Sequence, residues 1–150
     1  MIIGVLKEPF PETRVSLLPE HVVILKKWNV DVCVENNAGV TAFANDEKYT
    51  EAGAIVKSRN EVLQTSDFIV SINALPQSEI DNLQSKIILG VYQPLFNAGL
   101  MKTLAEKGLT VFSMDMLPRT TRAQSMDILS SQANIAGYKA VLLAATQYSR

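Results

Sequence analysis

A chain of 150 residues is the size of one ordinary domain, and 47% hydrophobic with 19% charged residues is the composition of a soluble globular protein. A formal net charge of −1 leaves no electrostatic footprint for nucleic acid or for an anionic membrane surface. One cysteine and one histidine exclude an internal disulfide and a four-ligand zinc site.

In chain order, β-branched apolar runs alternate with amphipathic ones. The opening MIIGVLKEPFPE lacks the basic flank and apolar run of a signal peptide. Ile2–Leu6 reads as a strand, followed by the loop KEPFPETRVSL. Pro19 opens a helix through Trp28, since proline suits a first helical turn. DVCVE is a second strand, whose alternation buries Cys33 as a small hydrophobe. NDEKYTEAG is a short helix stopped by Gly53, and AIVK a brief strand. SRNEVLQTS is helical, DFIVSIN a strand, PQSEIDNLQS helical and KIILGVY a strand. NAGLMKTLAEKG is a helix closed by Gly108, LTVFSM the last strand, and one helix is expected from about Ser125 to Tyr148.

Strands of near-continuous apolar character separated by helices indicate a mainly parallel sheet covered on both faces. The expected fold is therefore α/β and doubly wound, flavodoxin- or Rossmann-like, ending in a long connecting helix. Neither G-x-G-x-x-G nor a P-loop follows any strand. No segment holds the roughly 20 apolar residues of a membrane helix, so no direct membrane insertion is expected.

Two clusters could carry chemistry. In PRTTRAQSMDILSSQ, Thr121 and Gln124 have capping-box spacing, and Asp127 falls in a first helical turn where a carboxylate suits the helix dipole. Those roles need no ligand. Arg119 and Arg122 do not help a helix N-terminus, which is already positive, but an arginine pairs with phosphate or stacks on a flat ring. A glutamine amide donates and accepts, which suits a carboxamide, and Gln124, Asp127 and Ser131 are spaced to share one helical face. The second cluster, Lys7, Glu8, Glu12 and Arg14, follows the carboxyl end of the first strand, where open α/β sheets bind ligands. A solvated loop is the competing reading there. On the last helix Met126, Leu129, Ala133, Ala136, Gly137, Ala140 and Ala144 recur at helical spacing, as a core stripe or as a bridge between domains.

The chain resembles the N-terminal part of the alpha subunit of proton-translocating NAD(P) transhydrogenase, a family related to alanine dehydrogenase. KEPFPETRVSLLPE, ENNAG with EAGA, DFIVSIN and, above all, PRTTRAQSMDILSSQANIAGYKAVLLAA carry the likeness, over essentially the whole chain. The resemblance implies a first α/β subdomain over residues 1–124 and a connecting helix over 125–150. The glycine-rich NAD subdomain of the family is absent from the chain. It further implies that Arg119, Gln124, Asp127 and Ser130 orient the nicotinamide of NAD(H) for hydride transfer to NADP+ on a partner subunit. Arg14 matches an arginine that holds the substrate carboxylate in alanine dehydrogenase.

Where alanine dehydrogenases place a catalytic lysine and histidine, this sequence has Ser71 and Gln93, so general acid–base work on an imino acid has no evident carrier. Ser71 also departs from the lysine common in transhydrogenases. The implied partners are the NAD-binding subdomain, a membrane domain, an NADP(H)-binding subunit and a second copy, at a cytoplasmic site peripheral to the inner membrane. No catalytic acid, base, nucleophile or metal is expected. The isolated chain is expected to be inactive, to bind NAD(H) very weakly and to self-associate through its last helix. The alternatives are an alanine dehydrogenase-like oxidoreductase domain and a non-catalytic binding or assembly module.

Overall fold

Six strands align in parallel: β1 (Ile2–Val5), β2 (Asp31–Glu35), β3 (Ile55–Lys57), β4 (Phe68–Asn73), β5 (Ile87–Val91) and β6 (Thr110–Ser113). The structure is a computed structural model that describes residues 1–148. Between the strands run α1 (Pro19–Lys27), α2 (Asp46–Glu51), α3 (Arg59–Thr65), α4 (Gln77–Ile80) and α5 (Ala98–Glu106), and after them comes α6 (Ile128–Gln147). The sheet order is β3-β2-β1-β4-β5-β6. That is the Rossmann order, which separates the two folds the sequence left open.

Alternation along β2 shows why both faces are covered. Val32 and Val34 join Val22 of α1 and Tyr49 of α2 in one core cluster. Cys33, pointing the other way, joins Val62, Ile80 and Leu104 of α3, α4 and α5 in the second. The thiol is buried, as its setting in DVCVE predicts. Gly53 and Gly108 take positive φ just beyond α2 and α5, where the sequence placed helix stops.

Two expected elements differ. PQSEIDNLQS gives only the four-residue α4, because Asp81 and Asn82, which favour turns over helix interiors, follow Ile80 and the chain turns there. The final helix begins at Ile128 rather than Ser125: residues Thr121–Met126 form a separate 3-10 turn before it.

The chain divides into two compact units, Met1–Ser113, which holds the whole sheet, and Met114–Arg150. In the second unit a 3-10 turn at Met114–Met116 lies beside α6. Apolar residues occupy all sides of α6, and none of its residues is buried. The expected stripe of small residues is thus one part of a helix that also exposes Ile135, Tyr138, Val141, Leu142 and Leu143. Among the described residues no helix is long and apolar enough to cross a membrane.

Candidate functional site

Two cavities hold the residues that the sequence singles out. The first lies in the second unit and is built mostly by PRTTRAQSMDILSS. It measures about 450 Å³ and is lined by Arg119, Gln124, Asp127 and Ser130 together with Met114, Leu117 and Leu129. All four residues that the resemblance assigns to the nicotinamide therefore share one cavity wall. Arg122 and Ser131, which the residue pattern also raised, do not line it.

Two successive caps set this geometry. Thr120 starts the 3-10 turn, and its hydroxyl accepts a hydrogen bond from the Ala123 amide at 3.3 Å. Asp127 then starts α6: its Oδ1 accepts from the amides of Leu129 and Ser130 at 3.0 and 3.1 Å. The Ser130 hydroxyl donates to Asp127 Oδ2 at 2.6 Å. These bonds, led by the Ser130 hydroxyl, hold the Asp127 carboxyl below the ordinary carboxylate range, and the charge of Arg119 adds to the effect. The capping box expected between Thr121 and Gln124 does not form, because the cap positions fall on Thr120 and Asp127. Gln124 consequently lies on the turn, not on the α6 face expected to carry it with Asp127 and Ser131. Its side chain is exposed. Ser131 instead donates to the carbonyls of Asp127 and Ile128.

Chemically, the cavity offers a complementary pair. Asp127 accepts and Ser130 donates, which is the pattern a primary carboxamide presents in reverse. Gln124 can do both, and Arg119 adds an exposed cation.

The second cavity, about 380 Å³, opens at the carboxyl ends of β1 and β4, where the strand order reverses. Its lining includes Lys7, Glu8, Glu35, Arg59, Ser71 and Asn73. The expected cluster of Lys7, Glu8, Glu12 and Arg14 splits here into two. Glu8, buried, accepts from the amides of Ile72 and Asn73 at 2.5 and 3.0 Å and from Asn73 Nδ2 at 2.9 Å. Arg14 lies outside this cavity and grips Glu12 in a two-point pair, Nε to Oε1 at 2.8 Å and Nη2 to Oε2 at 2.6 Å. That pairing pulls the Glu12 carboxyl down to about 2.

Sequence reasoning missed Glu35 and Arg59. Arg59 Nη1 donates to Glu35 Oε2 at 2.7 Å and to the Lys7 carbonyl at 3.0 Å. Its Nε and Nη2 grip Glu79 at 2.6 and 3.0 Å. Burial opposes the guanidinium charge, but the two carboxylates outweigh it and the arginine pKa rises. The available signal was positional: Glu35 ends β2 and Arg59 follows directly on Ser58, the cap of α3. Ser71, also buried, donates to the Asn73 carbonyl at 2.8 Å. Gln93 is exposed and in the left-handed region, with φ of 47°.

A parallel sheet in Rossmann order, with a crevice at its carboxyl edge, places this chain among the doubly wound α/β domains. Residues 4–136 match the family model "Alanine dehydrogenase/PNT, N-terminal domain", and the chain belongs to that family. It is 37% identical over 153 residues to the NAD(P) transhydrogenase subunit alpha of Cereibacter sphaeroides, covering 100% of this chain and 29% of that protein. The crystal structure of transhydrogenase from Sinorhizobium meliloti superposes with a TM-score of 0.92 at 39% identity, over 100% of this chain and 46% of that one. An L-alanine dehydrogenase structure is more distant, with a TM-score of 0.71 at 29% identity over 76% of this chain and 32% of the other. The chain therefore spans less than half the length of these relatives.

Proposed function

We propose that the chain is the N-terminal part of the NAD(H)-binding component of a proton-translocating NAD(P) transhydrogenase, and that its cavity at Arg119–Ser130 orients the nicotinamide. The observation that carries this reading is the convergence of Arg119, Gln124, Asp127 and Ser130 on one cavity in a member of this family. The sheet unit Met1–Ser113 acts as the first subdomain, and α6 (Ile128–Gln147) as the connecting helix. NADH sits on this component and NADP+ on a partner subunit, with a membrane domain moving the protons. A second copy completes the component, which lies on the cytoplasmic side of the inner membrane.

The role of these residues is positional. Hydride transfer is the cofactor's chemistry, and the protein fixes distance, ring orientation and water access. Asp127 Oδ2, which now accepts from the Ser130 hydroxyl, can accept from a carboxamide N–H instead. The Ser130 hydroxyl then turns to the carboxamide oxygen. One internal hydrogen bond is exchanged for two to the ligand, while Asp127 Oδ1 keeps the helix cap. Gln124 supplies a further contact from the turn. Arg14 takes no part, because Glu12 already engages its guanidinium. The cavity without the remainder of the component binds NAD(H) very weakly and does not turn over.

The alanine dehydrogenase reading receives no support from the geometry. Ser71 is committed to a backbone carbonyl, and Arg14 holds a carboxylate of its own chain. The test is Gln124→Ala in the complete enzyme. Hydride transfer from NADH is expected to fall by about 10- to 100-fold, the scale of a lost positioning contact, with thermal stability unchanged because the side chain is exposed. An unchanged rate would overturn the proposal.

A further inference from the structure

The crevice at the β1/β4 switch point is the place where a sheet of this order holds the phosphates of a nucleotide. In that arrangement, backbone amides of the first βα turn point at the anion. Here the first turn has no glycine between Leu6 and Pro19, yet one of its amides does point at an anion. The Lys7 N–H donates at 2.8 Å to Oε2 of Glu35. The same oxygen accepts from Arg59 Nη1 at 2.7 Å. A backbone N–H and a guanidinium converging on one oxygen are the donor set of a phosphate site. The oxygen belongs to the chain itself.

We propose that Glu35 is a resident anion. Its carboxylate fills the phosphate position of the switch-point crevice and closes it to nucleotide phosphates. The inference is independent of the nicotinamide reading, because it rests on residues of the first unit alone. Three further facts favour a filled site over an open one. Glu35 is buried, so its charge is committed to these partners and not to solvent. Arg59 is held on its other edge by both oxygens of Glu79, so it cannot swing to an incoming anion without breaking that pair. Glu8, the second buried carboxylate of the lining, keeps the crevice floor negative. An incoming phosphate therefore meets donors already used and two like charges.

Removing the resident anion must then create an anion site. In Glu35→Ala, Arg59 keeps its two-point pair with Glu79 and its bond to the Lys7 carbonyl, so the loop stays anchored. Lys7 N–H and one guanidinium nitrogen are left facing about one carboxylate's worth of space. Inorganic phosphate is the probe, read by amide chemical shifts of the chain. The wild-type Lys7 amide is expected to stay still up to millimolar phosphate. In Glu35→Ala it is expected to shift saturably, with affinity at least about tenfold above wild type, equivalent to about 1.4 kcal/mol. Glu35→Gln keeps an acceptor in place and is expected to behave as wild type. A saturable shift of Lys7 in the wild-type chain would overturn the proposal by showing an open site. A folded Glu35→Ala chain that gains no phosphate binding would overturn it as well. If Glu35→Ala does not fold, ADP titrated into the wild type decides: a still Lys7 amide supports closure, and a saturable shift refutes it.

Discussion

Replacing Arg59 by alanine is the sharpest test of how the switch point is held together. The side chain donates four hydrogen bonds, to Glu35, to the Lys7 carbonyl and twice to Glu79. Its loss leaves the Glu35 carboxylate, 11% exposed as a side chain, with the Lys7 amide as its remaining partner in the cluster. Breaking a fully buried pair costs about 3–5 kcal/mol, and an exposed pair is worth about 0–1 kcal/mol. Arg59 keeps 30% of its side-chain surface and Glu79 keeps 20%, which places the cluster between these limits. The expected loss is about 2–3 kcal/mol by interpolation between the two cases. At roughly 2–4 °C per kcal/mol for a domain of this size, the melting point falls by about 4–12 °C. Urea unfolding of the single variants and of the Arg59→Ala/Glu35→Ala double variant gives the coupling, expected to exceed about 1 kcal/mol. A loss under about 1 kcal/mol with no coupling would refute the reasoning, because the cluster would then behave as ordinary surface charge.

Three further outcomes follow from single contacts. The Glu12 carboxyl titrates near 2 in the folded chain against an ordinary 4.5, so the stability it adds is present above 4.5 and is lost as pH falls toward 2. Arg14→Ala should return its NMR midpoint toward the ordinary value. Asp127→Ala removes the acceptor for the Leu129 and Ser130 amides, whose hydrogen exchange should quicken, while Asp127→Asn keeps an acceptor and should preserve most of the protection. Because the folded Asp127 pKa is depressed, the wild-type cap is intact above the ordinary 3.8 and is lost as pH falls through the folded value. At Gly4 a Cβ would collide with the side chains of Ser66 and Val62, so Gly4→Ala should cost about 1–3 kcal/mol in chemical denaturation. A neutral result would mean that α3 can lift from β1 freely.

Much of this protein was legible in one dimension because its signals are local. Apolar β-branched runs such as DFIVSIN and KIILGVY announce buried parallel strands, since a strand covered on both faces needs no alternation. The glycines after α2 and α5 mark helix ends because they sit where φ must turn positive. The four residues of the proposed nicotinamide site lie within twelve positions of one another, so a single stretch that resembles the family could name them all.

Contacts between distant positions were not legible. Sequence spacing alone suggested that Thr121 and Gln124 cap the last helix. The choice of Thr120 and Asp127 depends on where the backbone leaves the 3-10 turn, which no local pattern fixes. Glu35 lies 28 residues from Lys7 and 24 from Arg59, and nothing in their neighbourhoods announces the bond. The strand order brings these three together by setting β1 between β2 and β4. By itself the sequence determined most of the elements and the apolar faces, because those depend on neighbours along the chain, and its likeness to a family pointed to the loop proposed to hold the nicotinamide. Only the tertiary structure decided which carboxylate closes the switch-point crevice, because that charge is satisfied by groups that folding alone places side by side.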